Sequence, residues 1–126
     1  MGPGQKDFER PLTERGRMQA AEVAAEAKVK AFSFDTILTS PYVRARETAR
    51  IVAEIYEMSG KVIEEPLLAC GCSVLAIRKI LERYPACGSI LCVGHEPDLG
   101  EIAAILLKLY HPRPFKKAEL VEIELS

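Results

Sequence analysis

No stretch of this 126-residue chain is apolar for long enough to cross a membrane, and its opening Met1-Gly2-Pro3-Gly4 lacks the apolar core of a signal peptide. Both absences point to the cytoplasm. Charge of one sign is missing as well: 17 Lys and Arg stand against 18 Asp and Glu, a formal net charge of −1. That balance gives no reason to expect nucleic acid or an anionic membrane as partner. Cysteine is sparse, with Cys70, Cys72, Cys87 and Cys92 forming no paired CxxC units, and a cytosolic setting disfavours structural disulfides. Cys92, inside an apolar run, reads as a small buried hydrophobe. Cys70-Gly71-Cys72 supplies only two thiolates, an incomplete metal site. Internal repeats, low-complexity segments and linkers are absent, so residues 1–126 read as one domain. Histidine occurs twice, as His95 and His111.

What is present is an ordinary globular composition, 48% hydrophobic and 28% charged, arranged as alternating helices and strands. Thr13 predicts the N-cap of a helix running to about residue 30, with Met18, Ala21, Ala25 and Val29 as its buried stripe. Asp35 to Ser40 reads as a short strand. Ser40-Pro41 then marks a helix start, the serine as cap and the proline in the first helical position. Thr48, Ile51, Val52 and Ile55 form the predicted buried face of that helix. Lys61-Val62-Ile63 predicts a short strand, and a third helix from Ser73 carries Ile77, Ile80, Leu81 and Tyr84. Ile90 to Val93 reads as a strand apolar on both faces. Pro97 predicts a fourth helix bearing Leu99, Ile102, Ile105, Leu106 and Leu109. Val121 to Leu125 alternates as a strand at or near a sheet edge.

This order implies an α/β domain in which helices flank a mostly parallel sheet. Sites in such domains lie at the carboxyl ends of the central strands. One irregularity stands out: no strand precedes the first helix, so the chain opens halfway through a unit. A missing central strand would leave open backbone groups beside Ile90–Val93.

Two strand ends resemble each other. One is TSPYVRARET, residues 39–48, and the other is VGHEP, residues 93–97. Each leads from a strand into a predicted helix with a charged or titratable group at the junction. Arg44 offers a planar fork of donors matched to phosphate, and His95 can exchange a proton near neutral pH. Helix amino termini would add N–H groups suited to an anion. Arg46, Glu47 and Arg50 provide the competing reading for Arg44, as one member of a surface ion-pair network. A packed core imidazole is the competing reading for His95.

The segments ERPLTERGRMQA (9–20), ILTSPYVRARETA (37–49), LLACG (67–71), VGHEPDLGE (93–101) and PFKKAELV (114–121) resemble the SixA-type phosphohistidine phosphatases of the histidine phosphatase superfamily. That resemblance implies a phosphoglycerate mutase-like three-layer fold and no cofactor or metal. It implies removal of phosphate from histidine on a signalling or carrier protein, through a phosphohistidine intermediate. The family's phosphate-gripping arginine, in the pattern T-S-x-x-x-R-A-x-x-T, falls on Arg44. The family's second histidine, which follows a glycine and completes the pocket, falls on His95, the candidate catalytic residue.

The family's nucleophile lies in an Arg-His-Gly at the end of the first strand. No Arg-His-Gly occurs in these 126 residues, so the chain as given is expected to be inactive alone. His111, in Tyr110-His111-Pro112-Arg113-Pro114, reads as a loop residue rather than a substitute nucleophile. Glu64, Glu65 and Glu96 are acidic candidates by position only, and none is assigned as proton donor. Arg10, Arg113, Lys116 and Lys117 read first as solvated surface; the competing reading places Arg10 near the pocket and the other three against an acidic protein substrate. Two further readings stand beside the phosphatase: a catalytically silent phosphate- or phosphoprotein-binding module, and a phosphomonoesterase acting on a small phosphate ester.

Overall fold

The computed structural model describes residues 11–70, 74–84, 88–95, 102–109 and 118–125. Thr13 begins the first helix as its composition requires, in extended conformation (φ −71°, ψ 164°) with its hydroxyl accepting the Gly16 N–H at 3.0 Å. Helix α1 runs Glu14–Val29. It stops at Ala31, whose φ of 65° is left-handed. The Phe32 N–H reaches back to the Ala27 carbonyl and the Ala31 N–H to the Lys28 carbonyl, a paired closure of the last turn.

Strand β1 is Thr36–Thr39 and helix α2 is Val43–Ile55. The expected start of α2 moves two residues on. Tyr42 is its cap residue and Pro41 lies in the preceding turn, while Ser40 Oγ accepts the Tyr42 N–H at 3.1 Å. The serine therefore satisfies a donor of the entry turn without being the cap. Helix α2 ends as α1 does, with Glu57 at φ 57° and N–H bonds from Met58 to Ala53 and from Glu57 to Glu54. Strand β2, Val62–Glu64, precedes a 3-10 turn over Pro66–Cys70, helix α3 spans Val74–Arg83, and strand β3 spans Ser89–His95. Strands β4, Ile102–Leu109, and β5, Ala118–Leu125, complete the described chain.

The strands form one five-stranded sheet in the order β2-β1-β3-β4-β5. β1 pairs in parallel with β2 and with β3, and β4 pairs antiparallel with β3 and β5. Only β4 therefore runs against the other four, as the mostly parallel expectation requires, and β5 lies at the edge.

Side chains alternate between two cores. On one face Ile37, Leu91, Val93, Ala104 and Leu106 pack with α1 and α2. On the other, Leu38, Ile90, Cys92, Ile105 and Leu107 pack with Leu68 and Ile80 from the 3-10 turn and α3. These are the three layers of an α/β/α sandwich. Cys92 is buried, as its place in the apolar run predicts.

Three expectations are corrected. The buried side of α1 is Gly16, Ala20, Ala24 and Ala27, whereas Met18 and Val29 are 61% and 86% exposed. The helix buries its smallest residues because it lies close against α2, whose inward side is also rich in alanine (Ala45, Ala49 and Ala53). The fourth helix is not formed over residues 102–109, which are strand β4. Ala104 to Leu107 are all buried, as a strand covered on both faces demands, and such a run carries helix and strand patterns at once. Finally, β3 has partners on both sides, so no open edge flanks Ile90–Val93. Cys72, Cys87, Glu96, Pro97, Leu99, His111, Arg10, Arg113, Lys116 and Lys117 lie outside the described residues.

Candidate functional site

The two strand ends singled out by sequence are neighbours. Thr39 closes β1 in register with Val93, and His95 is the last residue of β3, two positions further. Beyond the ladder, the Ser40 N–H donates to the Val93 carbonyl at 2.9 Å. The turn from β1 into α2 is thus tied to the strand that ends in His95. Both lie at the carboxyl ends of parallel strands, where α/β sheets place their sites.

Arg44 sits in the first turn of α2 and is only 6% exposed. Its carbonyl accepts the buried Thr48 hydroxyl at 2.9 Å, and Ala45 beside it is fully buried. Arg44 Nε is buried and meets no hydrogen-bond acceptor among the described residues, although the residue has partners through other atoms. A guanidinium held that deep by its own helix is an unusual use of arginine. Arg46 and Arg50, by contrast, are exposed.

Glu47 does not act as an anonymous surface acid. Its Oε1 accepts the Leu12 N–H at 2.7 Å, and its Oε2 accepts from Arg17 Nη2 at 2.9 Å. Burial by itself raises the Glu47 carboxyl, but the Leu12 N–H, the Arg17 hydrogen bond and the charges of Arg17 and Arg50 outweigh it. The pKa lies below the ordinary glutamate value. This carboxylate fastens the entry of α1 to the helix that carries Arg44. Sequence reading placed Glu47 in a network around Arg44; the long-range partners Leu12 and Arg17 carried no local signal.

Of the acidic candidates, Glu65 is 1% exposed and is used structurally. Arg83 Nη1 donates to both carboxylate oxygens at 3.0 Å, and the Leu67 N–H and the Tyr84 hydroxyl donate at 3.1 and 3.4 Å. With its acceptors occupied in this way, Glu65 pins the 3-10 turn to the end of α3. Glu64 is exposed on edge strand β2. Among the described residues no cluster of His, Cys, Asp and Glu could hold a metal ion, and no helix is long and apolar enough to cross a membrane.

The fold has known counterparts. The fold matches the protein histidine phosphatase SixA complexed with tungstate, with a TM-score of 0.73, 19% identity, and coverage of 98% of this chain and 90% of that one. It also matches a protein from Agrobacterium tumefaciens provisionally described as the phosphohistidine phosphatase SixA, with a TM-score of 0.67, 19% identity, and 86% and 83% coverage. In sequence, the chain is 35% identical over 120 residues to an uncharacterized protein of Picosynechococcus sp., covering 92% of this chain and 72% of that protein. The model of the histidine phosphatase superfamily (branch 1) matches residues 3–69, the stretch containing α1, β1, α2 and Arg44. On these matches, the chain belongs to the histidine phosphatase superfamily.

Proposed function

We propose that this chain is the phosphate-gripping body of a SixA-type phosphatase acting on phosphohistidine in a protein. Arg44 binds the phosphoryl oxygens and His95 closes the same pocket. The observation that carries this reading is the burial of Arg44 at the carboxyl end of β1, one hydrogen bond away from the strand that ends in His95. Guanidinium donors match the oxygens of a phosphoryl group in pairs and stabilise the charge spread over them during transfer. An imidazole beside them donates to, or exchanges protons with, the same group.

Phosphoryl transfer by this chemistry needs a nucleophile to split one hard step into two. The superfamily's Arg-His-Gly is not among these 126 residues. The residues present therefore account for binding and charge stabilisation, and a histidine supplied at the end of a further strand would account for turnover. The second reading, a phosphate-binding module without catalysis, is favoured by that same observation. Tungstate binding measured by calorimetry tests the grip common to both readings. Fusing an amino-terminal strand that ends in Arg-His-Gly separates them: the phosphatase reading expects an acid-labile phosphoenzyme and hydrolysis of a phosphohistidine protein. If the fused protein binds tungstate and forms no phosphoenzyme, the silent module is the better description.

A further inference from the structure

Beside the Arg44 turn, on the α2 side of the sheet, lies a cleft of about 330 Å³ lined by Thr39, Arg46, Arg50, Ser59, Val62 and Glu64. One wall is the flank of α2 that carries Arg46, Arg50 and the buried Ala53, and the other is β2, at the edge of the described sheet. Among the described residues β2 pairs only with β1, and its outer N–H and C=O groups meet no strand partner among them. Val62 and Glu64, two apart, share the face that lines the cleft. The exposed guanidiniums of Arg46 and Arg50 stand opposite. Arg50 feels the charge of Glu47, whereas Arg46 makes no side-chain hydrogen bond or ion pair among the described residues.

The spacing of the two arginines restricts the occupant. Residues four apart on a helix are separated by about 6 Å along its axis. Alternate residues of an extended strand are separated by roughly 6.7 Å and point the same way. An extended segment with acidic side chains at alternate positions would present one carboxylate to each guanidinium while its backbone lies along β2. The near-neutral net charge of the chain, −1, makes this a local positive feature rather than part of a general polyanion surface.

We propose that this cleft docks an extended acidic segment of the phosphoprotein substrate, added as a strand to the outer edge of β2 and held by Arg46 and Arg50. The proposal rests on the reading of the chain as acting on a phosphoprotein. It assigns the cleft a role separate from the phosphate grip at Arg44. Glu64, on the same face, opposes the acidic ligand and limits its affinity.

The test uses the 126-residue chain and two synthetic peptides of one composition. In one, acetyl-Thr-Glu-Thr-Glu-Thr-amide, the acids alternate; in the other, acetyl-Thr-Glu-Glu-Thr-Thr-amide, they are adjacent and would point to opposite sides of a strand. Binding is followed by NMR titration, with tungstate and an eight-nucleotide oligothymidylate in parallel. The alternating peptide is expected to bind at least tenfold tighter than the adjacent one. Arg46→Glu, which leaves the Arg50–Glu47 interaction in place, should abolish that preference and leave tungstate affinity unchanged. Glu64→Gln should strengthen peptide binding.

Equal binding of both peptides, undiminished binding by Arg46→Glu, or oligothymidylate binding as tight as the alternating peptide would each overturn the docking proposal. Loss of tungstate binding by the unmodified chain strikes instead at the phosphate grip. The two failures are read from separate titrations.

Discussion

The Ser40 N–H reaches the Val93 carbonyl across 2.9 Å, so the turn that positions Arg44 hangs from the strand that ends at His95. That join is a backbone hydrogen bond between Ser40 and Val93, neither of which is a candidate site residue. Substituting Arg44 or His95 leaves that backbone bond in place, so a thermal melt of each variant beside its binding measurement separates loss of the site from loss of the fold.

Arg44→Ala is expected to weaken tungstate binding by about 1.5–3 kcal/mol, the worth of a charge-assisted hydrogen bond. Arg44→Lys should recover only part of it, because an ammonium cannot reproduce the fork. Calorimetry giving the same affinity for all three proteins would place Arg44 outside the phosphate pocket.

Glu65 and Arg83 make an asymmetric pair, with a carboxylate 1% exposed and a guanidinium 57% exposed. Arg83→Met removes the donor that bridges both oxygens and strands a buried charge, so a loss of about 3 kcal/mol is expected. Glu65→Gln keeps the shape and some of the hydrogen bonds, and should cost less. Urea melts that show the two variants equally destabilised would contradict this account.

The pH dependence of stability follows from Glu47. Its folded pKa is lowered, so its contribution is complete above the ordinary glutamate pKa and disappears as pH falls through the folded value. Thermal melts of the parent should therefore weaken on acidification through that range. Glu47→Gln should be less stable near neutrality and show a shallower acid dependence. Parallel acid profiles for the two proteins would mean that the Leu12 and Arg17 contacts contribute nothing in solution.

Both long helices end on a left-handed residue with a side chain, Ala31 and Glu57. Glycine adopts that conformation without the steric cost that a Cβ brings. Ala31→Gly and Glu57→Gly should each stabilise by about 0.5–1 kcal/mol, a rise of a few degrees in Tm. A fall in Tm for both would mean that the closures formed by Phe32 and Met58 are not maintained.

These helix ends also show what the sequence made legible. The start of α1 carried an explicit signal in Thr13, and its end near residue 30 followed from periodicity. No glycine marks either stop. The side of α1 that packs was hidden because the contact selects small residues, Gly16, Ala20, Ala24 and Ala27, and large apolar ones such as Met18 remain outside. Strand β4 was hidden for a different reason: Ile102, Ile105, Leu106 and Leu109 satisfy a helical period, and pairing with β3 and β5 overrides it. The candidate site was legible as two strand ends because Arg44 and His95 each follow an apolar run. The Glu47 and Glu65 networks join residues up to 35 positions apart, and no local pattern announces such pairs.

The sheet's pairings divide unequally along the chain. β3, β4 and β5 follow one another as a meander, so Val93 meets Ala104 after about ten residues, whereas Thr36 must find Ile90 across more than fifty. Closing the longer loop costs about 1.4 kcal/mol more in chain entropy. The meander that contains His95 is accordingly the half with the lower closure cost, and joining the β1–α2 unit with Arg44 to it carries the higher one. Their meeting line is the carboxyl end of β1 against β3. Under the proposed function the oxyanion site is assembled across that seam, so a bound oxyanion is expected to slow unfolding by holding it shut.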